Sequence, residues 1–200
     1  MAEKIVIEVF KEKKAEDFTA ALSSPDCRAN AGSAAAYTAA MACALAERAA
    51  KICEAANGES ERLSYIVRNC EILRGYMVHL IDEDVKSKRP FLRAKKEGGE
   101  REIEATIQTA SCIDAEIVNM TKPCLEFLDE LGAFCPAEDR HYLLEAAELA
   151  MSACRVAQSV IFSYASLSGD ETYRFVTRRE NEIFLAEREA LYKSILTKNS

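Results

Sequence analysis

Between Ala31 and Ala46 the chain carries no charged residue and is built chiefly from alanine, with Gly32 and Ser33 at its start. Alanine is the strongest helix former, so this run predicts a helix. A helix apolar around most of its circumference belongs inside, packed closely on several neighbours. The rest of the fold must therefore be arranged around this segment. At its first turn, unpaired backbone N–H groups and the positive dipole end meet small side chains, where another helix or an anionic group can approach.

The remaining sequence supplies the neighbours. Helical periodicity dominates, and only Ile5 to Phe10 has a β-like pattern, which also suits an extended arm. A short helix is expected from about Ala15 to Leu22, stopped by Ser23-Ser24-Pro25. The alanine-rich helix follows from Gly32 and ends at Asn57-Gly58. A third starts near Ser60, is interrupted near Pro90 and finishes at Gly98-Gly99; a fourth runs from Glu100 to Leu131 and is closed by Gly132. A fifth is expected to start at Pro136, which suits a first helical turn, and to reach Leu167. Asp170 then caps a last helix running towards Lys198. The expected fold is all-α: an antiparallel bundle of about five long helices in one domain over residues 1–200. The alanine-rich helix needs more cover than one small bundle gives, which predicts a homodimer.

Composition narrows the function. Twenty-six basic against 33 acidic residues argue against a general nucleic-acid binder. The uncharged run is too short and too rich in alanine for a membrane span, and Met1-Ala2-Glu3-Lys4 does not open a secretory leader. Eight cysteines without any C-x-x-C spacing, mostly among alanines and leucines, predict reduced thiols in a cytoplasmic protein. Bundles that hold two iron or manganese ions use two Glu-x-x-His elements. Glu138 to His141 supplies one, but Tyr76 stands where a second would need its acid before His79, so no metal site is expected.

Acid–base chemistry has a candidate on the third helix. Its apolar stripe reads Ile66, Cys70, Leu73, Met77, Leu80 and Ile81, then Asp84, Lys88 and Phe91. Asp82 lies on a different face, near His79 and Lys86. A carboxylate on an apolar stripe loses solvation, and its pKa rises unless it gains a partner, which suits a general base. The alternative is a solvated acidic turn paired with Lys86 and Lys88. The basic run Lys86, Lys88, Arg89, Arg93, Lys95 and Lys96 reads either as a solvated segment or as a patch for an acidic substrate tail.

Taken together, these stretches resemble the cyclodeaminase/cyclohydrolase family. It includes the C-terminal domain of formiminotransferase-cyclodeaminase and stand-alone bacterial methenyltetrahydrofolate cyclohydrolases. Phe18 to Pro25 is similar to the family's opening, Gly32-Ser33-Ala34-Ala35-Ala36 to its Gly-Gly-Gly-Ser-Ala-Ala-Ala signature, and Asp82-Glu83-Asp84 to its Asp-x-Asp element. Ala165 to Tyr173 is similar to its link into the final helix. Three departures stand out: the glycine triplet is reduced to Asn30-Ala31-Gly32, Lys88 replaces an aromatic residue, and Pro136-Ala137-Glu138-Asp139 replaces an Asn-x-x-Ser-Asp type element. The resemblance implies a folate enzyme that either hydrolyses 5,10-methenyltetrahydrofolate to 10-formyltetrahydrofolate or cyclises 5-formiminotetrahydrofolate with release of ammonia. It further implies Asp84 as the catalytic base with Asp82 second, and Gly32, Ser33, Asn30, Asp139 and Lys88 against the substrate. Neither metal nor separate cofactor is implied. The alternative, on the altered glycine turn, is a folate-binding or interaction protein that kept the bundle and lost the chemistry.

Overall fold

The computed structural model describes residues 9–199. Seven helices fill it: α1 (Ala15–Ser23), α2 (Ala31–Asn57), α3 (Glu61–Ser87), α4 (Arg89–Glu97), α5 (Glu100–Leu131), α6 (His141–Ala165) and α7 (Glu171–Asn199). Five of them are long, as expected, and no strand occurs among the described residues. Of the expected extended arm, residues 5–8 lie outside the described part.

Local chemistry sets most of the boundaries. Asn30 caps α2 by accepting from Gly32 N at 3.0 Å, and Ser60 caps α3 by accepting from Leu63 N at 3.1 Å. Gly58, at φ 83°, ends α2 in a backbone region where L side chains are strained. Gly99 N donates to Glu102 Oε2 at 3.0 Å, and Tyr173 N donates to Asp170 Oδ1 at 3.1 Å, fixing the starts of α5 and α7. The interruption expected near Pro90 falls at Lys88, after which the chain re-starts at Arg89 with Pro90 in the first turn of α4. One expectation needs correction. Pro136 does not open α6: its backbone is extended, a single 3-10 turn follows over Ala137–Asp139, and α6 begins at His141.

Helix α2 is the hub. At about 1.5 Å per residue its 27 residues span roughly 40 Å, and α3, α5 and α6 pack along it. Cys53 Sγ reaches Leu131 O, while Ser33 meets Asp84 and the Arg48 guanidinium covers the Tyr142 ring. These contacts fix directions: α3 and α6 run against α2, and α5 runs with it. From Ala35 to Cys53, the alanines and cysteines facing these neighbours are almost wholly covered. The small side chains admit three helices at close range, while Met41 and Ala44 stay exposed on the remaining face of α2, the part of the helix that the dimer expectation concerns.

Helix α7 docks differently. Its buried residues are Asn181, Arg188, Ile195 and Asn199, a seam that is largely polar. Arg188 donates to the carbonyls of Val118 at 3.2 Å and Phe184 at 3.0 Å, and Gln158 donates to Asn181 O at 2.7 Å. Six cysteines are buried, Cys27 is half-buried, Cys112 is exposed, and all eight are free thiols. No described helix is long and apolar enough to cross a membrane.

Candidate active site

Four helices converge where α2 begins. The first turn of α2 brings Gly32 and Ser33, the end of α3 brings Asp84 and Lys88, the middle of α5 brings Asp114, and the end of α6 brings Tyr164. Ser33, Asp84 and Asp114 are fully covered, and Lys88 keeps only 2% of its surface exposed.

The contacts form one charge cluster. Ser33 Oγ donates to Asp84 Oδ2 at 2.8 Å. Lys88 Nζ donates to Asp84 Oδ1 and, at 3.0 Å, to Asn30 Oδ1, the same oxygen that caps α2. Lys88 Nζ also stands 3.3 Å from Asp114 Oδ2. That is an ion-pair contact without hydrogen-bond geometry, since neither Asp114 oxygen accepts a hydrogen bond. The Tyr164 ring lies 6.0 Å from the ammonium, at the outer range of cation–π attraction, and packs edge-on to Phe91 at 5.0 Å.

Gly32 makes this convergence possible. A Cβ there would lie 2.5 Å from both Asp114 Oδ1 and Lys88 Nζ, and closer still to Asp84 Oδ1. Any side chain would drive into all three charged groups. One glycine of the shortened triplet thus suffices for the close approach.

The two carboxylates are outnumbering their single cation in a dry setting. Burial, opposed by the Lys88 charge and reinforced by the Asp84 charge, pushes the Asp114 carboxyl up to about 7. Burial and the same two carboxylates push the Tyr164 phenol up to about 12. Asp114 is therefore a carboxyl group that exchanges a proton near neutrality, beside an ion pair. Groups of this kind can give or take a proton during a reaction.

The expected site residues divide. Asn30, Gly32, Ser33, Asp84 and Lys88 meet in one cluster. Asp84 combines the two readings left open by its spacing: it is buried, and it is paired with Lys88. Lys88 itself turns inward rather than joining the basic face. Lys86, Arg89 and Arg93 stay outside and line a groove of about 750 Å³ with Pro90, Glu102 and Thr106. Asp82 is buried on the diverging face, where its Oδ1 accepts from the backbone N of Phe10 at 2.6 Å and of Lys11 at 3.4 Å. It holds the segment before α1 and does not reach the cluster. Asp139 sits in the 3-10 turn beside Cys53 and Cys135, at the opposite end of α2. Some twenty residues of helix, about 30 Å, separate it from Ser33. His141 Nδ1 lies 3.0 Å from the Glu138 carbonyl, a local contact within one turn.

Asp114 and Tyr164 were not anticipated. Asp114 carried a readable signal, because it interrupts the apolar stripe Ile107, Ala110, Ile117 on α5 as Asp84 does on α3. Tyr164 carried none.

Comparison with known proteins agrees with this architecture. The crystal structure of formiminotetrahydrofolate cyclodeaminase from Thermotoga maritima superimposes with a TM-score of 0.84 over 94% of this chain and 96% of that one, at 20% identity. At that identity the likeness speaks for the fold. No curated protein matches the sequence. The formiminotransferase-cyclodeaminase family model matches residues 14–174, which includes every residue of the cluster. The chain belongs to the formiminotransferase-cyclodeaminase family.

Proposed function

We propose that this chain is a folate one-carbon enzyme whose chemistry is carried out by Asp84 and Asp114. The observation that carries the reading is a buried, proton-exchanging carboxyl beside an ion-paired one, at a glycine-opened helix start in a member of this family. Asp114 takes the second acidic role in place of Asp82, whose carboxylate is committed to the backbone of Phe10.

Two reactions use these groups. In hydrolysis, water adds to the methenyl carbon of 5,10-methenyltetrahydrofolate while Asp84 takes its proton. The bond from that carbon to N5 then breaks as N5 takes a proton from Asp114 and the adduct hydroxyl passes its own proton back to Asp114, leaving the formyl carbonyl; 10-formyltetrahydrofolate leaves and Asp84 gives its proton to solvent. In cyclodeamination, N10 of 5-formiminotetrahydrofolate attacks the formimino carbon and loses its proton to Asp84. The formimino group enters protonated, so its nitrogen is an NH2 after the attack; it takes the proton of Asp114 and departs as ammonia, leaving the cationic methenyl bridge. Both substrates carry their own electrophilic carbon, so the reading calls for no metal or further cofactor. The groove bearing Lys86, Arg89 and Arg93 suits the carboxylate-bearing end of a folate. A homodimer remains part of the proposal, and sedimentation of the pure protein tests it.

A second reading has one observation in its favour. Every charged group of the cluster is covered and Lys88 neutralises Asp84, the arrangement expected of a relative that keeps the bundle without turnover. One assay separates the two. Pure protein is mixed with 5,10-methenyltetrahydrofolate, and the ultraviolet absorbance of the methenyl bridge is followed against buffer. Accelerated loss supports hydrolysis. Ammonia release from 5-formiminotetrahydrofolate supports cyclodeamination. Binding without either supports the second reading.

A further inference from the structure

We infer that Asp84 and Asp114 form a binding site for a small organic cation, and that Lys88 is its resident, displaceable occupant. This rests on the folate reading only for the identity of the natural cation; the site itself follows from the geometry.

The ammonium of Lys88 has three N–H groups; two donate, to Asp84 and Asn30, and the nitrogen stands 3.3 Å from Asp114 without donating to it. Its charge, held between two carboxylates, marks what the site attracts. Asp114 supplies the independent sign. Its carboxyl is 0% exposed, aims at the space beside Gly32, and accepts no hydrogen bond at either oxygen. A buried carboxyl left in that state is under-satisfied, and a second or broader donor would serve it better than one lysine does. A planar amidinium or guanidinium presents N–H groups at both edges and can address the two carboxylates together, which a single ammonium nitrogen does less well.

Displacement is also mechanically simple. Lys88 is the one residue between α3 and α4, serving as the last cap of one and the first of the other. Its backbone is helical and its carbonyl accepts from Leu92 N at 3.0 Å, so the ammonium withdraws by torsions of the side chain alone, which leaves both helices intact. Substrates of the folate reading meet the requirement: the methenyl bridge is a cationic amidinium, and the formimino group becomes one on protonation.

The test removes the occupant and offers a replacement. Lys88→Ala leaves an ammonium-sized space between two carboxylates. Its melting temperature is measured slightly above neutral pH in methylammonium, formamidinium or sodium chloride at equal ionic strength. The account predicts a fall of several degrees from the wild type, recovered by the organic cations well beyond sodium. The same recovery is predicted to vanish in Lys88→Ala/Asp114→Asn, which lacks the second carboxylate. A Lys88→Ala chain that is unfolded at rest is scored by the folded fraction each salt restores. Equal responses to organic cations and sodium, or full recovery in the double variant, would overturn the inference. Methenyl turnover is followed in the wild type in parallel. Organic-cation recovery without turnover removes the folate reading alone, whereas turnover without such recovery removes the cation site alone.

Discussion

Halfway along α2, Glu47 receives Lys51 at 2.6 Å and Arg74 at 2.7 Å; at its start, Lys88 receives Asp84 and Asp114. The two clusters have inverted make-up, one acid with two bases and one base with two acids. They also differ in solvent. Lys51 and Arg74 keep 58% and 40% of their side-chain surface, whereas the members of the Lys88 cluster keep almost none. Burial raises the Glu47 carboxyl, but hydrogen bonds and charge from Lys51 and Arg74 outweigh it and leave the group below its ordinary value. At Asp114 burial wins and the group rises to about 7. The same residue types thus make a solvated clamp in one place and a proton-exchanging centre in the other. Solvent access and the ratio of charges decide which.

The largest expected effect breaks the comparison at its functional end. Oriented acid–base catalysis contributes about 10²–10⁴-fold, so Asp84→Asn is expected to lose methenyl turnover on that order while its circular dichroism is unchanged. Glu47→Gln is expected to keep wild-type turnover in the same assay. Equal activity of wild type and Asp84→Asn would remove Asp84 from the mechanism.

Next in size is the pH dependence of stability. The folded-state value of Asp114 lies above the ordinary 3.8, so the folded protein holds that proton more tightly than the unfolded chain. Its contribution is fully present below about pH 4 and is lost as pH rises through about 7. Urea midpoints across that window should show a decline on the order of a few kcal/mol, at 1.36 kcal/mol per pK unit, that Asp114→Asn lacks. Glu47 carries the opposite sign: its contribution is present above the ordinary 4.5 and lost as pH falls through its lower folded value.

Gly32→Ala sharpens the packing side. Overpacking a close-packed site costs about 1–3 kcal/mol, and here the added methyl meets three charged groups. Chemical denaturation is expected to report that loss, with turnover falling alongside. A variant as stable and active as the wild type would mean that the cluster opens more readily than its contacts suggest. The smallest effect belongs to the clamp at Glu47, an acid 7% exposed whose two bases stay in solvent, where Glu47→Gln should cost on the order of 1 kcal/mol.

Much of the bundle could be read from residues alone. The composition of α2 dictated a buried hub, and Asn57-Gly58, Gly98-Gly99 and Gly132 marked where helices stop. Asp84 was recoverable because an acid interrupting an apolar stripe is a local pattern. Asp114 offered the same pattern on α5 and gained meaning only once α5 was known to run alongside α2. The inward turn of Lys88 was half-legible: it falls on the apolar stripe four residues after Asp84, but also within a basic run that reads as solvated. Asp82 was beyond local reading: its partner, the backbone of Phe10, lies 72 residues away. Pro136 misled because its fixed φ fits both a helical first turn and the extended backbone it adopts.

Carboxyl-carbon NMR of the wild-type protein, followed through a pH titration, tests the central claim most directly because it reads both clusters in one sample. The account predicts that Asp114 titrates near 7 while Glu47 titrates below its ordinary 4.5. Titration of Asp114 near the ordinary 3.8 would contradict a dry proton-exchanging centre at the start of α2.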